Sequence, residues 1–218
     1  MNSGDSDGPC LCSPAMKASL EARNGADQID YISQLVEGGV TSLRESHVLE
    51  LQRCAVRDIY PCAGKYRDFR MKVYIANSRH SLPEAAFVPT LVQEAVDFVN
   101  NGNLDSLSAL DRAAYALWRF NWIHPFAGGN GRTSRALAYL IVCMERRYML
   151  PGVPTMPTLV YQYRDEYIGA LRKLDQSAAD SQDVDLRPMS DFLRKMLVRQ
   201  LASVVHDLEV PRARQGSL

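Results

Sequence analysis

The 218-residue chain predicts an all-α fold, and three observations carry that expectation. Apolar residues recur at helical spacing in segment after segment. The run Ala136–Met144 is apolar on every face, and only Met71–Ile75 alternates polar and apolar residues as a short strand would. With 46% hydrophobic residues the chain can build one sizeable core, and its length is short for two domains.

Taken in order, residues 1–25 are polar and rich in Ser, Gly and Asp, and read as a flexible tail. From about Asp27 to Glu37 the pattern is helical and Gly38-Gly39 ends it, giving a short separate helix within residues 26–40. The main domain is expected over residues 41–208, followed by a C-terminal tail, 209–218. Within it Val48, Leu51, Ala55 and Ile59 form one helical stripe, and Val88, Val92, Ala95, Val96 and Val99 a second. Leu107, Leu110, Ala114, Leu117 and Trp118 form a third. The all-apolar run Ala136–Met144 predicts a central helix wrapped by the others. Two more helices are expected, Tyr161–Leu174 and Asp185–Leu208. The latter carries Met189, Leu193, Met196, Leu197, Leu201, Val204 and Leu208 on one stripe, where the methionines read as core.

Composition narrows the function classes. Lys and Arg together number 25, as do Asp and Glu, so no charge excess marks a nucleic-acid or membrane-surface partner, and a protein partner is expected. The cysteines at 10, 12, 54, 62 and 143 are odd in number and form no CxxC pair. They argue against a zinc site or a disulfide framework and for a cytoplasmic setting. No signal peptide is evident, and the longest apolar run is too short to cross a bilayer. Exposed helix faces are available for a homodimer. His47, His80 and His206 have no partner constellation and receive no role.

The chemistry concentrates in His124-Pro125-Phe126-Ala127-Gly128-Gly129-Asn130-Gly131-Arg132-Thr133-Ser134-Arg135. Its glycines allow a ligand close to the backbone, and the helix that follows offers free N–H groups and a dipole to bound phosphate. Arg132 and Arg135, three apart, share a helix face, and guanidinium pairs with phosphate oxygens in a bidentate way. His124 is a candidate general base near neutral pH. The run is not a P-loop, since no Lys-Ser/Thr follows the glycines.

This run resembles the Fic-domain signature, His-x-Phe-x-Asp/Glu-Gly-Asn-Gly-Arg-x-x-Arg, at every specified position but one. Ala63-Gly64-Lys65-Tyr66-Arg67 resembles the family's Ala-Gly-x-Tyr-Arg segment, and Asn77–Pro83 its flap region. The resemblance implies a helical bundle around a central buried helix with a small β-hairpin flap, and transfer of AMP from ATP to a Ser, Thr or Tyr hydroxyl of a target protein. His124 would be the base and Phe126 the loop anchor. Gly129, Asn130 and Gly131 would hold the α and β phosphates, Arg132 the β or γ oxygens, and Arg135 the γ phosphate. The target would be clamped at the flap around Met71–Ile75 by strand addition.

The exception is Gly128, which stands where the family carries the Asp or Glu that binds a divalent cation such as Mg²⁺. Three outcomes stay open: metal held by phosphates and water alone, removal of AMP or transfer of another phosphate-linked group, or a silent nucleotide-binding module. Upstream, Ser33-Gln34-Leu35-Val36-Glu37-Gly38 resembles the family's inhibitory motif Ser/Thr-x-x-x-Glu-Gly/Asn. That resemblance implies that Glu37, with Ser33, reaches Arg135 and occupies the place of the γ phosphate.

Overall fold

The computed structural model describes residues 10–75, 80–101, 107–181 and 183–209, with side chains through Val204. It holds eight α-helices in chain order: α1 Pro14–Glu37, α2 Glu45–Val56, α3 Val88–Asn101, α4 Ala109–Ile123, α5 Asn130–Arg146, α6 Met156–Gln162, α7 Arg164–Asp180 and α8 Arg187–Glu209. A single 3₁₀ turn, Ala85–Phe87, leads into α3. Where length suggested one core, the chain forms two compact units, Met1–Tyr148 and Met149–Leu218.

In the first unit α5 is the helix expected at the centre. Leu137, Tyr139, Leu140 and Cys143 are fully buried, although they point to different sides of the helix. Helix α4 packs along it, with Ala113, Ala114, Leu117 and Ile123 inaccessible to solvent, and α3 packs against α4 through Val88, Val92 and Ala95. Ser108 caps α4 by accepting from the Asp111 amide at 3.2 Å, which satisfies one of the helix's first-turn donors.

Helix α1 differs most from expectation. It starts at Pro14, far ahead of Asp27, and runs 24 residues without a break, so much of the segment read as a tail is helix. Ser13 caps it and Pro14 supplies the pre-set φ of a first helical residue. Its buried face is Asn24, Gln28, Ile32 and Val36, one residue per turn. The two polar members are sealed by hydrogen bonds to main-chain carbonyls at the C-terminal half of α2. Asn24 Nδ2 donates to Arg57 O at 2.8 Å and Gln28 Nε2 to Leu51 O at 2.8 Å. α1 and α2 therefore run antiparallel.

Helix α2 opens with a pH-sensitive contact. The Arg44 amide donates to His47 Nδ1 at 3.2 Å, which requires an unprotonated ring nitrogen. Burial first, and then the charge of Arg44, lower the imidazole pKa from its ordinary 6.5. The unfolded chain therefore takes up this proton more readily than the folded one. The contribution is whole above the unfolded value and is lost as pH falls through the lower folded value. Urea midpoints measured between roughly pH 7.5 and 5 should fall less in His47→Gln than in the parent chain; parallel curves would refute the assignment.

The second unit contains α6, α7 and α8. The expected helix Tyr161–Leu174 is divided at Tyr163, where ψ turns to 44°, into α6 and α7. Met189, Leu193 and Met196 on α8 are fully buried, so those methionines are core, whereas Leu201 on the same stripe is 41% exposed. The buried amide of Gln200 ties the start of α6 to the chain before it, accepting from Met156 N at 2.7 Å and donating to Leu150 O at 3.0 Å.

The β flap is not formed among the described residues. Residues 71–74 are irregular and Ile75 alone makes a β-bridge. Asn77, Ser78 and Arg79 of the flap resemblance lie outside the described residues, as do the side chains of His206 and Leu208.

Candidate active site

The segment 124–135 links the end of α4 to the start of α5. His124 closes α4 in a left-handed conformation, φ 50° and ψ 59°, with its N–H on Phe120 O. That reversal turns the chain back toward the α5 N-terminus and leaves the last carbonyls of α4 without helical partners. Arg67 supplies them. Its buried guanidinium donates from Nε to His124 O at 2.8 Å and from Nη2 to Ile123 O at 3.3 Å and Pro83 O at 2.6 Å. The Arg67 amide also bonds Pro125 O at 2.9 Å. Burial lowers the Arg67 pKa from its usual value, yet guanidinium stays charged at any physiological pH.

His124 is buried, and its Nδ1 lies 3.3 Å from the carbonyl of Asn121. A carbonyl only accepts, so Nδ1 carries the proton in this contact and Nε2, itself buried, keeps the basic lone pair. The side chain of Asn121 reaches the other way, donating to Ser134 Oγ at 2.8 Å on the first turn of α5. One residue thus fixes both the histidine and the helix that carries the arginines. Asn121 has no motif to betray it in the sequence.

The loop between them is closed from inside. Phe126 is fully buried and its ring stacks on Tyr66 with centroids 5.6 Å apart. Both ends of the Asn130 side-chain amide pair with Phe126, Oδ1 accepting from its N–H at 3.0 Å and Nδ2 donating to its carbonyl at 2.9 Å. The Asn130 side chain is therefore a staple of the loop, and what this position offers a ligand is main chain. Gly129 is the N-cap of α5 at φ 77°, and a Cβ there would meet Val56 Cγ1 at 2.5 Å. A glycine cap leaves the first-turn N–H groups uncapped by side chain, which suits an anion.

The two arginines diverge. Arg135 folds back over the cradle, its Nη1 3.2 Å from where a Gly131 Cβ would stand. Arg132 turns toward α2 and α1, donating from Nη1 to Ala55 O at 2.7 Å, with Nη2 3.7 Å from Glu21 Oε1. Glu21, absent from the sequence reading, is the carboxylate on α1 that meets the signature. Glu37 does not reach Arg135. It is exposed at the other end of α1, where it accepts from Ser33 Oγ at 2.7 Å. Sixteen residues of helix separate it from Glu21, roughly 24 Å at 1.5 Å per residue. Because α1 starts beside Arg132 and its exit, Thr41 and Ser42, lies by Ile141 and Met144, α1 runs parallel to α5. Glu37 therefore lies toward the wrong end of α5.

Position 128 offers no metal ligand. Its carbonyl accepts from Gln52 Nε2 at 3.1 Å, and the other end of that fully buried amide accepts from Gly64 N at 2.6 Å. Among the described residues no group of three or more His, Cys, Asp or Glu side chains is placed to hold a metal. The donor set does not fit a cation held by the protein.

Comparison with known proteins points to the family that the signature resembles. The sequence profile of the Fic/DOC family matches residues 42–142. Protein adenylyltransferase fic-1 of Caenorhabditis briggsae is 30% identical over 149 residues, which is 68% of this chain and 26% of that protein. Protein adenylyltransferase Fic of Drosophila persimilis is 31% identical over 148 residues, 67% of this chain and 25% of that protein. The chain thus spans about a quarter of the length of these relatives. Among solved structures, a Fic-domain signalling protein from Bacteroides thetaiotaomicron shares the fold with a TM-score of 0.68 at 23% identity, over 88% of this chain and 73% of that one. A Fic family protein from Desulfovibrio desulfuricans superposes with a TM-score of 0.58 at 26% identity, over 86% of this chain and 55% of that one. The chain therefore carries a Fic/DOC-family domain over residues 42–142, which contain His124, the glycine cradle and both arginines.

Proposed function

We propose that this chain transfers AMP from ATP to a hydroxyl side chain of a target protein. The observation that carries the reading is the coupling, through Asn121, of a histidine with a defined basic nitrogen to a glycine-capped helix start with Arg135 folded over it. The adenylyltransferase relatives support the same chemistry. The target oxygen attacks the α-phosphorus while its proton passes to His124 Nε2, the bond to the bridging oxygen breaks, and pyrophosphate leaves. The N–H groups of the first turn of α5 and the Arg135 guanidinium stabilise the charge that builds on the phosphates. No step is assigned to a metal, since the chain supplies no carboxylate at position 128.

The target segment docks beside the loop around Met71–Ile75, where Phe69 at 88% exposure and Tyr74 at 60% supply aromatic surface. Five cysteines, none in a disulfide, and the absence among the described residues of any helix long and apolar enough to cross a membrane support a cytoplasmic setting.

The test uses ATP carrying label on the α or on the γ phosphate, with the full chain and a mixture of candidate target proteins, with and without Mg²⁺. Protein labelled from α-ATP and not from γ-ATP is the expected result. Label from γ-ATP would make the reaction a phosphorylation and overturn the reading. No label from either, with ATP still raising the melting temperature, would favour a silent nucleotide-binding module, the reading to which Gly128 points.

Control by α1 follows from Glu21. Its carboxylate competes with triphosphate for Arg132, so helix and nucleotide exclude each other at that guanidinium. The pair is partly exposed, with side chains 23% and 40% accessible, so its worth is at most about 1 kcal/mol after solvent screening. Glu21→Ala is expected to raise transfer at low ATP by about two- to fivefold, whereas Glu37→Gly leaves it unchanged. Activation by Glu37→Gly alone would return the brake to the Ser33–Glu37 motif.

A further inference from the structure

At the opposite end of α5 from the glycine cradle lies a cleft of about 320 Å³. Thr41 and Ser42, just after α1, form one side, and Val99, Ile141 and Met144 give it an apolar wall. Arg112 of α4 and Arg147, the first residue past α5, also line it. The amide of Asn100 is fully engaged with the main chain of Leu43, accepting from its N–H and donating to its carbonyl at 2.8 Å each, so it fixes the wall and has little left for a ligand.

The lining is cationic on balance, two guanidiniums against one carboxylate. Arg112 Nη2 donates to Glu145 Oε2 at 2.7 Å, which neutralises the one carboxylate in the lining. The Nε–H of the same guanidinium is buried without a hydrogen-bond partner. That nitrogen is closed to solvent, so what Arg112 offers a ligand is its charge rather than this N–H. Arg147 adds a second cationic residue at φ 59°, a left-handed position where glycine or asparagine is the usual occupant. The volume lies at the lower end of the range for small-molecule sites.

We propose that this cleft binds a small organic oxyanion, a carboxylate or a phosphate monoester on a short apolar group. The oxyanion pairs with Arg147 in the field of the Arg112 guanidinium, the hydroxyls of Thr41 and Ser42 add donors, and the apolar stem rests on Val99, Ile141 and Met144. The site is separate from the cradle and does not depend on the transfer reaction.

The test measures calorimetric binding of butyrate and, separately, of ethyl phosphate to the full chain at constant ionic strength. The Arg132→Ala/Arg135→Ala variant serves as parent, so that the cradle does not report. Saturable binding of at least one of the two is expected, weakened at least tenfold by Arg147→Gly and by Arg112→Gln. Arg147→Gly relieves a left-handed backbone and should keep its helical circular dichroism, so a lost signal there is not a folding failure. Binding of butyrate alone identifies a carboxylate site and binding of ethyl phosphate alone a phosphoester site. Absence of saturable binding for both, or binding indifferent to Arg147→Gly, overturns the proposal.

Discussion

His124→Ala is expected to lower nucleotidyl transfer by about 10²–10⁴-fold, the span typical of a positioned general base, with ATP affinity unchanged. The asymmetry follows from the geometry. The ring contacts Asn121 O through Nδ1, and its backbone is held by Phe120 O and Arg67, so removing the imidazole leaves the loop, the helix cap and both arginines in place. Single-turnover labelling and equilibrium ATP binding on the same preparation separate the two effects. A variant that keeps its rate would remove His124 from the reaction. A variant that loses ATP binding in step with its rate would make the residue a structural member of the cradle. His124→Asn is the finer probe, since an amide can keep the contact to Asn121 O without a basic nitrogen of comparable strength.

Gly129→Ala is the second large effect, and it falls on stability and nucleotide binding together. A methyl at this position meets Val56 Cγ1 at 2.5 Å, and the residue keeps φ 77°, where a side chain is strained. The left-handed backbone costs about 1–2 kcal/mol and overpacking a filled core about 1–3 kcal/mol, so a loss of roughly 2–5 kcal/mol in urea unfolding is expected. Val56 is itself fully buried on α2, which cannot yield without disturbing Ala55, whose carbonyl holds Arg132. Adding Val56→Ala to Gly129→Ala should recover the packing part and leave the backbone part, a non-additivity a double-mutant cycle reads directly. Additive losses would show that the two residues do not meet.

Gln52 and Gly128 belong to the same structural unit. At position 128 the main chain contributes architecture: the Gly128 carbonyl is held by a buried amide that also binds Gly64 N. The loop 124–130 is thus braced from three directions, by Gln52 beneath Gly128, by Arg67 beneath His124, and by Asn130 across Phe126. A cradle so braced is preorganised for an anion without a cation of its own to shape it.

Much of the site was legible because it is contiguous. Twelve consecutive residues carry the candidate base, the glycines and both arginines, so no knowledge of the fold was needed to bring them near one another. The residues that hold them were not legible. Asn121 and Gln52 act through single side-chain amides aimed at partners 13 and 76 positions away, and such bonds leave no periodic signal. The N-terminal half of α1, ahead of the expected start at Asp27, escaped for a related reason. The helix's buried face has the spacing of a helix stripe, but Asn24 and Gln28 occupy two of four positions, and a stripe half made of amides reads as solvent-facing until the carbonyls of α2 that accept from them are known.

The sequence by itself determined the helical class, the all-round burial of α5, and the clustering of the candidate site residues in 124–135, because apolar periodicity and local backbone preference act over a few residues at a time. Only the tertiary structure decided which carboxylate of α1 faces Arg132. A resemblance pointed to Glu37, but an unbroken 24-residue helix parallel to α5 carries Glu37 toward the far end of the unit and sets Glu21 beside Arg132. That outcome depends on where a helix begins and in which direction it packs. Both are fixed by long-range burial of Asn24, Gln28, Ile32 and Val36 against α2, a quantity no local pattern encodes.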